Sequence, residues 1–132
     1  MQDGELQLVA ELVVPADAEL LTMCRMILVG VGAGLPISDQ ALDDLKLVLS
    51  ETCASAIRHT AGQPDGTVEI AFRTSSFEIE VSVSDHTQSA ESALTGPGFG
   101  LPLLRQLCSR LDVRSRAEGP GTVVRFARTL PA

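Results

Sequence analysis

A carboxylate and a hydroxyl stand four residues apart in a segment whose apolar spacing predicts a helix. Glu51 and Ser55 therefore share one helix face, with Arg58 about a turn further on. A carboxylate and a hydroxyl on one helix face could belong to a binding or catalytic site. Small polar and charged residues also mark the solvated side of a helix, turned away from a leucine stripe. The sequence leaves both interpretations open.

A second carboxylate and a group of glycines follow further along the chain. Asp85 comes directly after the alternating residues Val81 and Val83, at a predicted strand end. There it would accept a hydrogen bond from a ligand, although aspartate is also a common turn residue. Gly98 and Gly100 precede a predicted helix, and such glycines let backbone N–H groups approach an anion at the positive helix terminus. Glycines before helices are common, so this signal alone is weak.

The elements that must position these residues follow from periodicity and from stop signals. Alternation predicts strands, helical spacing predicts helices, and Pro15, Gly32 and Gly62 interrupt them. The predicted elements are a strand at Leu6 to Val14, a helix at Ala18 to Val31 capped by Asp17, a helix from Asp39 to about His59 capped by Ser38, strands around Val68 to Phe72 and Phe77 to Val83, a helix from Leu101 to Leu111, a strand from Val113, and a last strand from Thr122 to Arg128.

This order, βααββαββ, predicts an α/β (α+β) two-layer sandwich. About three helices cover a mixed, mostly antiparallel sheet, because hairpin-type connections force antiparallel neighbours. The 132 residues suit a single domain spanning 1–132. A doubly wound parallel sheet is excluded by the consecutive strand pairs.

Composition restricts the partners. The net charge of −7 disfavours nucleic-acid binding, which needs a basic surface. The longest apolar stretch, Met26 to Leu35, is about half of a membrane span, and the acidic amino end does not resemble a signal peptide. We therefore expect a cytoplasmic protein that binds neither nucleic acid nor membrane. The cysteines, three in number, lack CxxC spacing and are expected to be reduced packing residues.

Taken together and in order, these segments resemble those of a known protein family. The run Leu47 to His59, which reads LVLSETCASAIRH, resembles the N-box helix of the GHKL ATPase superfamily, and more narrowly that of the anti-sigma-factor serine kinases. Asp85 falls where that family keeps its adenine-binding aspartate. Gly98-Phe99-Gly100-Leu101 resembles the second glycine box, and Gly121-Thr122-Val123-Val124 the closing Gly-Thr pair. The resemblance spans nearly the whole chain and implies a Bergerat-type GHKL fold.

The resemblance also implies roles for these residues and two cofactors, ATP and Mg²⁺. Glu51 would be the general base, Ser55 would stand at the position of a magnesium-binding asparagine, and Asp85 would bond the adenine amino group with support from Thr122. Gly98 and Gly100 would approach the phosphates. Arg25 matches an arginine that contacts the sigma factor in stress-response members. An arginine at the edge of a buried helix that extends its head to water explains Arg25 equally well.

Two departures from the family pattern weaken the implied chemistry. Ser55 replaces an asparagine, and its short hydroxyl is a poorer magnesium ligand than an amide carbonyl. The segment Asp85-His86-Thr87-Gln88-Ser89 lacks the glycines of the first glycine box. Phosphoryl transfer needs a metal to neutralise developing charge, so we expect ATP binding with poor or absent kinase activity.

Three functions follow from the resemblance. The first is an anti-sigma regulatory factor that binds a sigma factor and phosphorylates an anti-anti-sigma antagonist. The second is a catalytically inactive module of the same fold that regulates transcription or signalling by sequestering partners. The third is a regulatory domain of a larger phosphatase- or receptor-linked signalling protein. A homodimer through the exposed first strand, Leu6 to Val14, is compatible with each.

Overall fold

The element order agrees with the sequence prediction. The computed structural model describes residues 4–60, 63, 66–86 and 101–131. The elements are β1 (Gln7–Pro15), α1 (Leu20–Gly32), α2 (Asp39–Thr60), β2 (Thr67–Thr74), β3 (Glu78–Ser84), α3 (Leu101–Gln106), β4 (Arg110–Ser115) and β5 (Thr122–Thr129). This confirms the predicted α+β class.

The strands of the described residues form one five-stranded sheet in the order β1-β2-β3-β5-β4. Each neighbouring pair is antiparallel, which agrees with the predicted mixed, mostly antiparallel sheet. Short hairpin connections join β2 to β3 and β4 to β5, whereas the chain between β3 and β5 carries α3. The central strand β3 is therefore paired on both edges.

The two long helices form an antiparallel hairpin over one face of the sheet. Ser38 caps α2 as predicted, because its Oγ accepts a hydrogen bond from the backbone N–H of Ala41 at 3.1 Å. Arg25 of α1 donates to Ser50 Oγ of α2 at 3.1 Å. A Cβ built on Gly32 would lie 3.1 Å from the Leu42 side chain, so small size at Gly32 lets the helices approach.

The core lies between this hairpin and the sheet. The largest fully buried side chains come from both layers: Phe72, Phe126, Leu28, Leu45, Leu49, Ile70, Ile79, Val48, Val68, Val81 and Val83. Period-two burial in β2 and β3 and the leucine stripe of α2 supply them, as the sequence pattern predicts. The three cysteines are buried and form no disulfide.

The structure differs from the prediction in α1, between α3 and β4, and within β1. Helix α1 begins at Leu20 because Asp17 makes a preceding turn, in which its Oδ1 accepts from the Glu19 N–H at 2.9 Å. Helix α3 ends at Gln106 and β4 begins at Arg110, because Ser109 N–H already bonds Ala127 carbonyl at 2.7 Å. A register shift between Leu8 and Ala10 leaves Leu8 half exposed on β1.

None of the helices within the described ranges is long and apolar enough to cross a membrane.

Candidate functional site

Asp85 and Thr122 meet at one end of the sheet. Because β3 and β5 are antiparallel, the end of β3 lies beside the start of β5. The Asp85 N–H donates to the Thr122 carbonyl at 3.0 Å, and the Thr122 N–H donates to the Asp85 carbonyl at 3.3 Å. Both residues are almost fully buried, with 2% and 1% of their surface exposed. A carboxylate in this position is held on a rigid frame and screened from bulk water.

Gly121 makes this close pairing possible. Its φ is +121°, a conformation that residues with a side chain rarely adopt. A Cβ built there would lie 2.0 Å from the Asp85 carbonyl oxygen and 2.7 Å from the His86 Cα. No side chain fits against that backbone. The Gly121-Thr122 pair found in the sequence therefore has a definite structural task, which is to bring the start of β5 against Asp85.

The α2 residues Glu51 and Ser55 extend toward the same end of the sheet. Asp44, on the same helix stripe, accepts from Arg128 of β5 at 3.2 Å and so anchors the start of α2 near the far end of β5. From Asp44 to Ser55 the helix rises about 16 Å. From Arg128 back to Thr122 the strand runs roughly 20 Å. At the other end of α2, a Cβ built on Gly66 would lie 2.7 Å from Thr60, and the start of β2 lies beside the end of β3, so the last turns of α2 lie at the same end of the sheet as Asp85.

Ser55 is buried, contrary to the reading of its helix face as the solvated side. It is 1% exposed, while Glu51 is half-buried and Arg58 is exposed. Exposure differs among the residues of this helix face because Ser55 lies at the border of the stripe that packs on the sheet. Within the part of the chain that the structure describes, Ser55 Oγ has no hydrogen-bond partner. A buried hydroxyl without a protein partner can form a hydrogen bond with a ligand or a water molecule.

The glycines of the second glycine box, Gly98 and Gly100, lie outside the described residues. Helix α3, which they precede, starts at Leu101 as expected. Their predicted approach to phosphates therefore stays a prediction.

Arg25 lies on a different surface, between α1 and α2. Besides its bond to Ser50, its guanidinium donates to Thr22 Oγ1 at 3.4 Å. It borders a groove of about 370 Å³ that is also lined by Thr22, Met26, Val29 and Lys46. Met26 is 68% exposed, which leaves a large apolar side chain in solvent. Arg25 is thus fixed by hydrogen bonds beside an apolar groove with a second cation, Lys46, on its border.

A cluster beside Asp85 was not foreseen from the sequence. His86 Nε2 lies 3.3 Å from a carboxylate oxygen of Glu69, and the Arg116 guanidinium contacts the His86 ring. The three residues come from β2, the segment after β3, and the turn between β4 and β5. Only the strand order β2-β3-β5-β4 brings them together, so no sequence spacing signals them.

The comparisons with known proteins cover the helices and strands that hold these residues. The sequence profile of the histidine kinase-like ATPase domain matches residues 14–128, from the end of β1 to the last residues of β5. The chain belongs to the histidine kinase-like ATPase domain family. The match includes Glu51, Ser55, Asp85 and Thr122, so all four lie in the ATPase-like domain.

Curated relatives within this family carry the name serine-protein kinase RsbW. The chain is 29% identical over 105 residues to that of Listeria monocytogenes, and these cover 79% of this chain and 61% of the relative. It is 26% identical over 125 residues to that of Bacillus velezensis, with 81% and 78% coverage. The chain thus spans about three fifths of the length of the Listeria relative that it matches.

A solved structure agrees with the fold. The crystal structure of the RsbU and RsbW domains of Rv1364c from Mycobacterium tuberculosis superposes with a TM-score of 0.69 at 18% identity, over 94% of this chain and 34% of that one. The predicted GHKL-type fold is confirmed by this likeness and by the profile match.

The residues of this ATPase-like domain fit the two expected cofactors unequally. The buried Asp85 carboxylate at the strand end suits the amino edge of adenine, which is a hydrogen-bond donor. The magnesium position fits less well, because Ser55 offers one neutral hydroxyl and Glu51 one carboxylate. Magnesium prefers carboxylate, carbonyl and water oxygens in a near-ideal octahedron. The site therefore suits the base of ATP better than its metal ion.

Proposed function

We propose that the protein is an anti-sigma regulatory factor that binds a sigma factor and an anti-anti-sigma antagonist and that binds ATP weakly. The observation that carries this proposal is the buried Asp85, clamped by backbone hydrogen bonds to Thr122 inside a histidine kinase-like ATPase domain. The likeness to proteins named serine-protein kinase RsbW supplies the substrate class, a protein serine. The proposed place of action is the cytoplasm.

In this proposal each residue of the site has one task. Asp85 accepts a hydrogen bond from the adenine amino group, and Thr122 supports the same edge of the base. Glu51, half-buried on α2, accepts the proton of the attacking serine hydroxyl. Gly98 and Gly100 approach the phosphates. Mg²⁺, when bound, would neutralise charge on the phosphates.

Serine kinase activity toward the antagonist is proposed to be low. Ser55 stands where the family resemblance implies an asparagine, and the hydroxyl of a residue that is 1% exposed has little freedom to reach a metal ion. Loss of one metal ligand removes stabilisation of the transition state more than it removes binding of the base. We therefore expect nucleotide binding to be better preserved than phosphate transfer.

The second candidate is a binding module that regulates by sequestration alone. The groove beside Arg25 favours it, because Arg25 and Lys46 flank exposed apolar side chains, as at a protein-binding surface. Arg25 is the proposed sigma-factor contact in both candidates. The two functions differ only in whether phosphate is transferred.

A homodimer is proposed through the face of the sheet that points away from the helices, here called the open face. Val9 and Val13 of the edge strand β1 are 51% and 58% exposed. Glu11 and Glu69 outnumber one arginine, Arg73, on the β1–β2 side of this face, and Arg125 lies on the β5 side. A two-fold pairing would set the acidic side of one copy against the basic side of the other.

Phosphate transfer separates the two candidates. The purified protein is incubated with γ-labelled Mg·ATP and each anti-anti-sigma protein of the source organism. We expect slow labelling of one antagonist that Glu51→Gln abolishes and Arg58→Gln, an exposed residue on the same helix, leaves unchanged. Labelling that survives Glu51→Gln would contradict the assigned role. No labelling together with sigma-factor binding that Arg25→Ala weakens would favour the sequestration module.

A further inference from the structure

The cluster of Glu69, His86 and Arg116 lies on the other side of the sheet from the Asp85 side chain. Strand alternation, continued past the end of β3, places the side chains of Asp85 and His86 on opposite faces. Glu69 alternates with the buried residues of β2, so it points to the open face, where it meets His86. The cluster is therefore outside the proposed nucleotide pocket but directly behind its carboxylate.

Arg116 connects this cluster to the turn between β4 and β5. Its backbone N–H donates to the Gly121 carbonyl at 3.1 Å, and a Cβ built on Gly121 would lie 2.8 Å from Arg116 Cδ, so the side chain of Arg116 runs over the glycine. The guanidinium then ends 3.0 Å from His86 Nε2 and 4.0 Å from a carboxylate oxygen of Glu69. The three side chains thus join β2, the residue after Asp85, and the turn that holds β5 against Asp85.

One ring nitrogen of His86 lies within reach of two groups that make opposite demands on it. Nε2 is 3.0 Å from the guanidinium of Arg116, which can only donate, and 3.3 Å from the carboxylate of Glu69, which when ionised can only accept. With a free lone pair, Nε2 accepts from Arg116 and cannot donate to Glu69. With a proton, it donates to Glu69 and cannot accept from Arg116. The protonation of the ring therefore selects the partner.

The charges around the ring separate the two states further. Among the described residues, Glu69 of β2 and Arg116 of the turn are the charged groups in contact with His86, and Asp85 precedes it in the chain. A neutral ring accepts from the guanidinium while Glu69 balances its charge. An imidazolium donates from both nitrogens, attracts Glu69 and repels Arg116. Acidification should therefore release Arg116 from the end of β3.

We propose that His86 is a proton-dependent positioning residue for Asp85. When neutral, it holds the turn between β4 and β5 against Asp85 through Arg116, and when protonated it exchanges Arg116 for Glu69 and loosens that turn. The effect on nucleotide binding rests on the proposed function, whereas the change in the protein itself needs no ligand.

Hydrogen exchange on the full chain without nucleotide tests the proposal. The N–H groups of Asp85 and Thr122 bond across β3 and β5, so their protection factors, corrected for the intrinsic effect of pH, report whether the pairing holds. They are measured by NMR at about pH 7.5 and about pH 5.5, on either side of the ordinary histidine pKa of about 6.5. We expect both factors to fall about three- to tenfold at the lower pH, the size of one lost hydrogen bond.

Four variants assign the effect to the cluster. His86→Gln cannot titrate, so its protection should not depend on pH. Arg116→Gln loses the charged donor and should show the lower protection at both pH values. Arg114→Gln, an exposed arginine of β4 that has no hydrogen bond or ion pair to the cluster within the described chain, should behave as the wild type. His59→Gln changes the other of the two histidines in the sequence and should keep the wild-type response.

The proposal is overturned if the wild type has equal protection at the two pH values. A response that survives His86→Gln, or one that disappears in His59→Gln, would also overturn it. If His86→Gln fails to fold, the wild type, Arg116→Gln and His59→Gln decide the matter.

Calorimetry with ADP at the same two pH values measures the effect on the nucleotide site. On acidification the wild type should lose about three- to tenfold more affinity than His86→Gln, and the titration of the ligand phosphates cancels in this comparison. Equal losses would contradict the positioning role of His86. Absence of ADP binding together with the expected exchange result would support proton-dependent positioning of Asp85 and contradict only the proposed function.

Discussion

The chemistry of the site depends strongly on Ser55. Its Oγ is buried and lacks a hydrogen-bond partner among the described residues, whereas Ser50, one turn earlier, bonds both Lys46 carbonyl and Arg25. A buried polar group without a partner costs stability. A bound ligand or an ordered water would satisfy such a group. The two serines therefore form a natural pair for comparison.

Ser55→Ala should leave the protein as stable as the wild type or more stable by up to about 1 kcal/mol, because it removes an unsatisfied hydroxyl. The same change should weaken nucleotide binding, because the ligand or an ordered water beside it loses the Ser55 hydroxyl as a hydrogen-bond partner. Urea denaturation and calorimetry measure the two effects. The matched control, Ser50→Ala, should lower the free energy of unfolding by about 1 kcal/mol because two hydrogen bonds are lost. A large destabilisation by Ser55→Ala would show that its hydroxyl is satisfied.

The sequence predicted the positions of the site residues better than their surroundings. Asp85 was placed correctly at a strand end by the alternation that precedes it. The burial of Ser55 was missed because helical spacing gives the direction of a side chain but not what covers it. The contact of His86 with Glu69 and Arg116 depends on strand order, which local spacing does not encode.

At the scale of elements, the pairing of β3 with β5 decides whether Asp85 is in place. The turn between β4 and β5 contains two glycines with positive φ, Gly119 at +74° and Gly121 at +121°. They differ in their surroundings. Nothing lies within 4 Å of a Cβ built on Gly119, whereas a Cβ on Gly121 would overlap the Asp85 backbone.

Gly121→Ala should therefore lower the free energy of unfolding by about 2–4 kcal/mol, because it adds a steric overlap to an unfavourable φ. Gly119→Ala, the control, should cost only about 1–2 kcal/mol, since it meets the unfavourable φ alone. Chemical denaturation compares the two variants. Equal costs would mean that the close approach of β5 to Asp85 is not a strong constraint.

Elements with long, regular patterns were predicted well. The 22-residue α2 was found with its Ser38 cap because its leucines recur over many turns. The end of α3 was misplaced because Leu107 and Leu111 continue a helical spacing. Leu111 instead pairs with Phe126 in the sheet, and tertiary pairing prevails over the local pattern.

For the whole molecule, the main feature is a sheet that, among the described residues, is covered by helices on one face. On the open face the β1–β2 side carries Glu11 and Glu69 with one arginine, Arg73, and is net acidic. The β4–β5 side carries Arg114 and Arg125 with one aspartate, Asp112, and is net basic. Opposite charges on the two sides of one surface make that surface complementary to a second copy of itself.

Val13→Asp should therefore weaken the proposed homodimer, because it adds a charge to an exposed apolar position of β1 next to Glu11. Sedimentation velocity should show a dimer for the wild type and a shift to monomer for the variant at the same concentration. Leu47→Asp, a similar change at a 47% exposed position of α2, should leave the dimer intact. A wild type that is monomeric at high concentration would contradict the proposal.

The central claim is that a nucleotide binds with its base against Asp85. Titration calorimetry with ATP and ADP, each with and without magnesium, tests it most directly. The account predicts measurable binding that depends weakly on magnesium and that Asp85→Asn weakens at least tenfold, since a hydrogen bond to a charged group contributes about 1.5–3 kcal/mol. Asp112→Asn, at an exposed position of β4, should change nothing. Equal affinities for the wild type and Asp85→Asn, or no heat with either nucleotide, would contradict it.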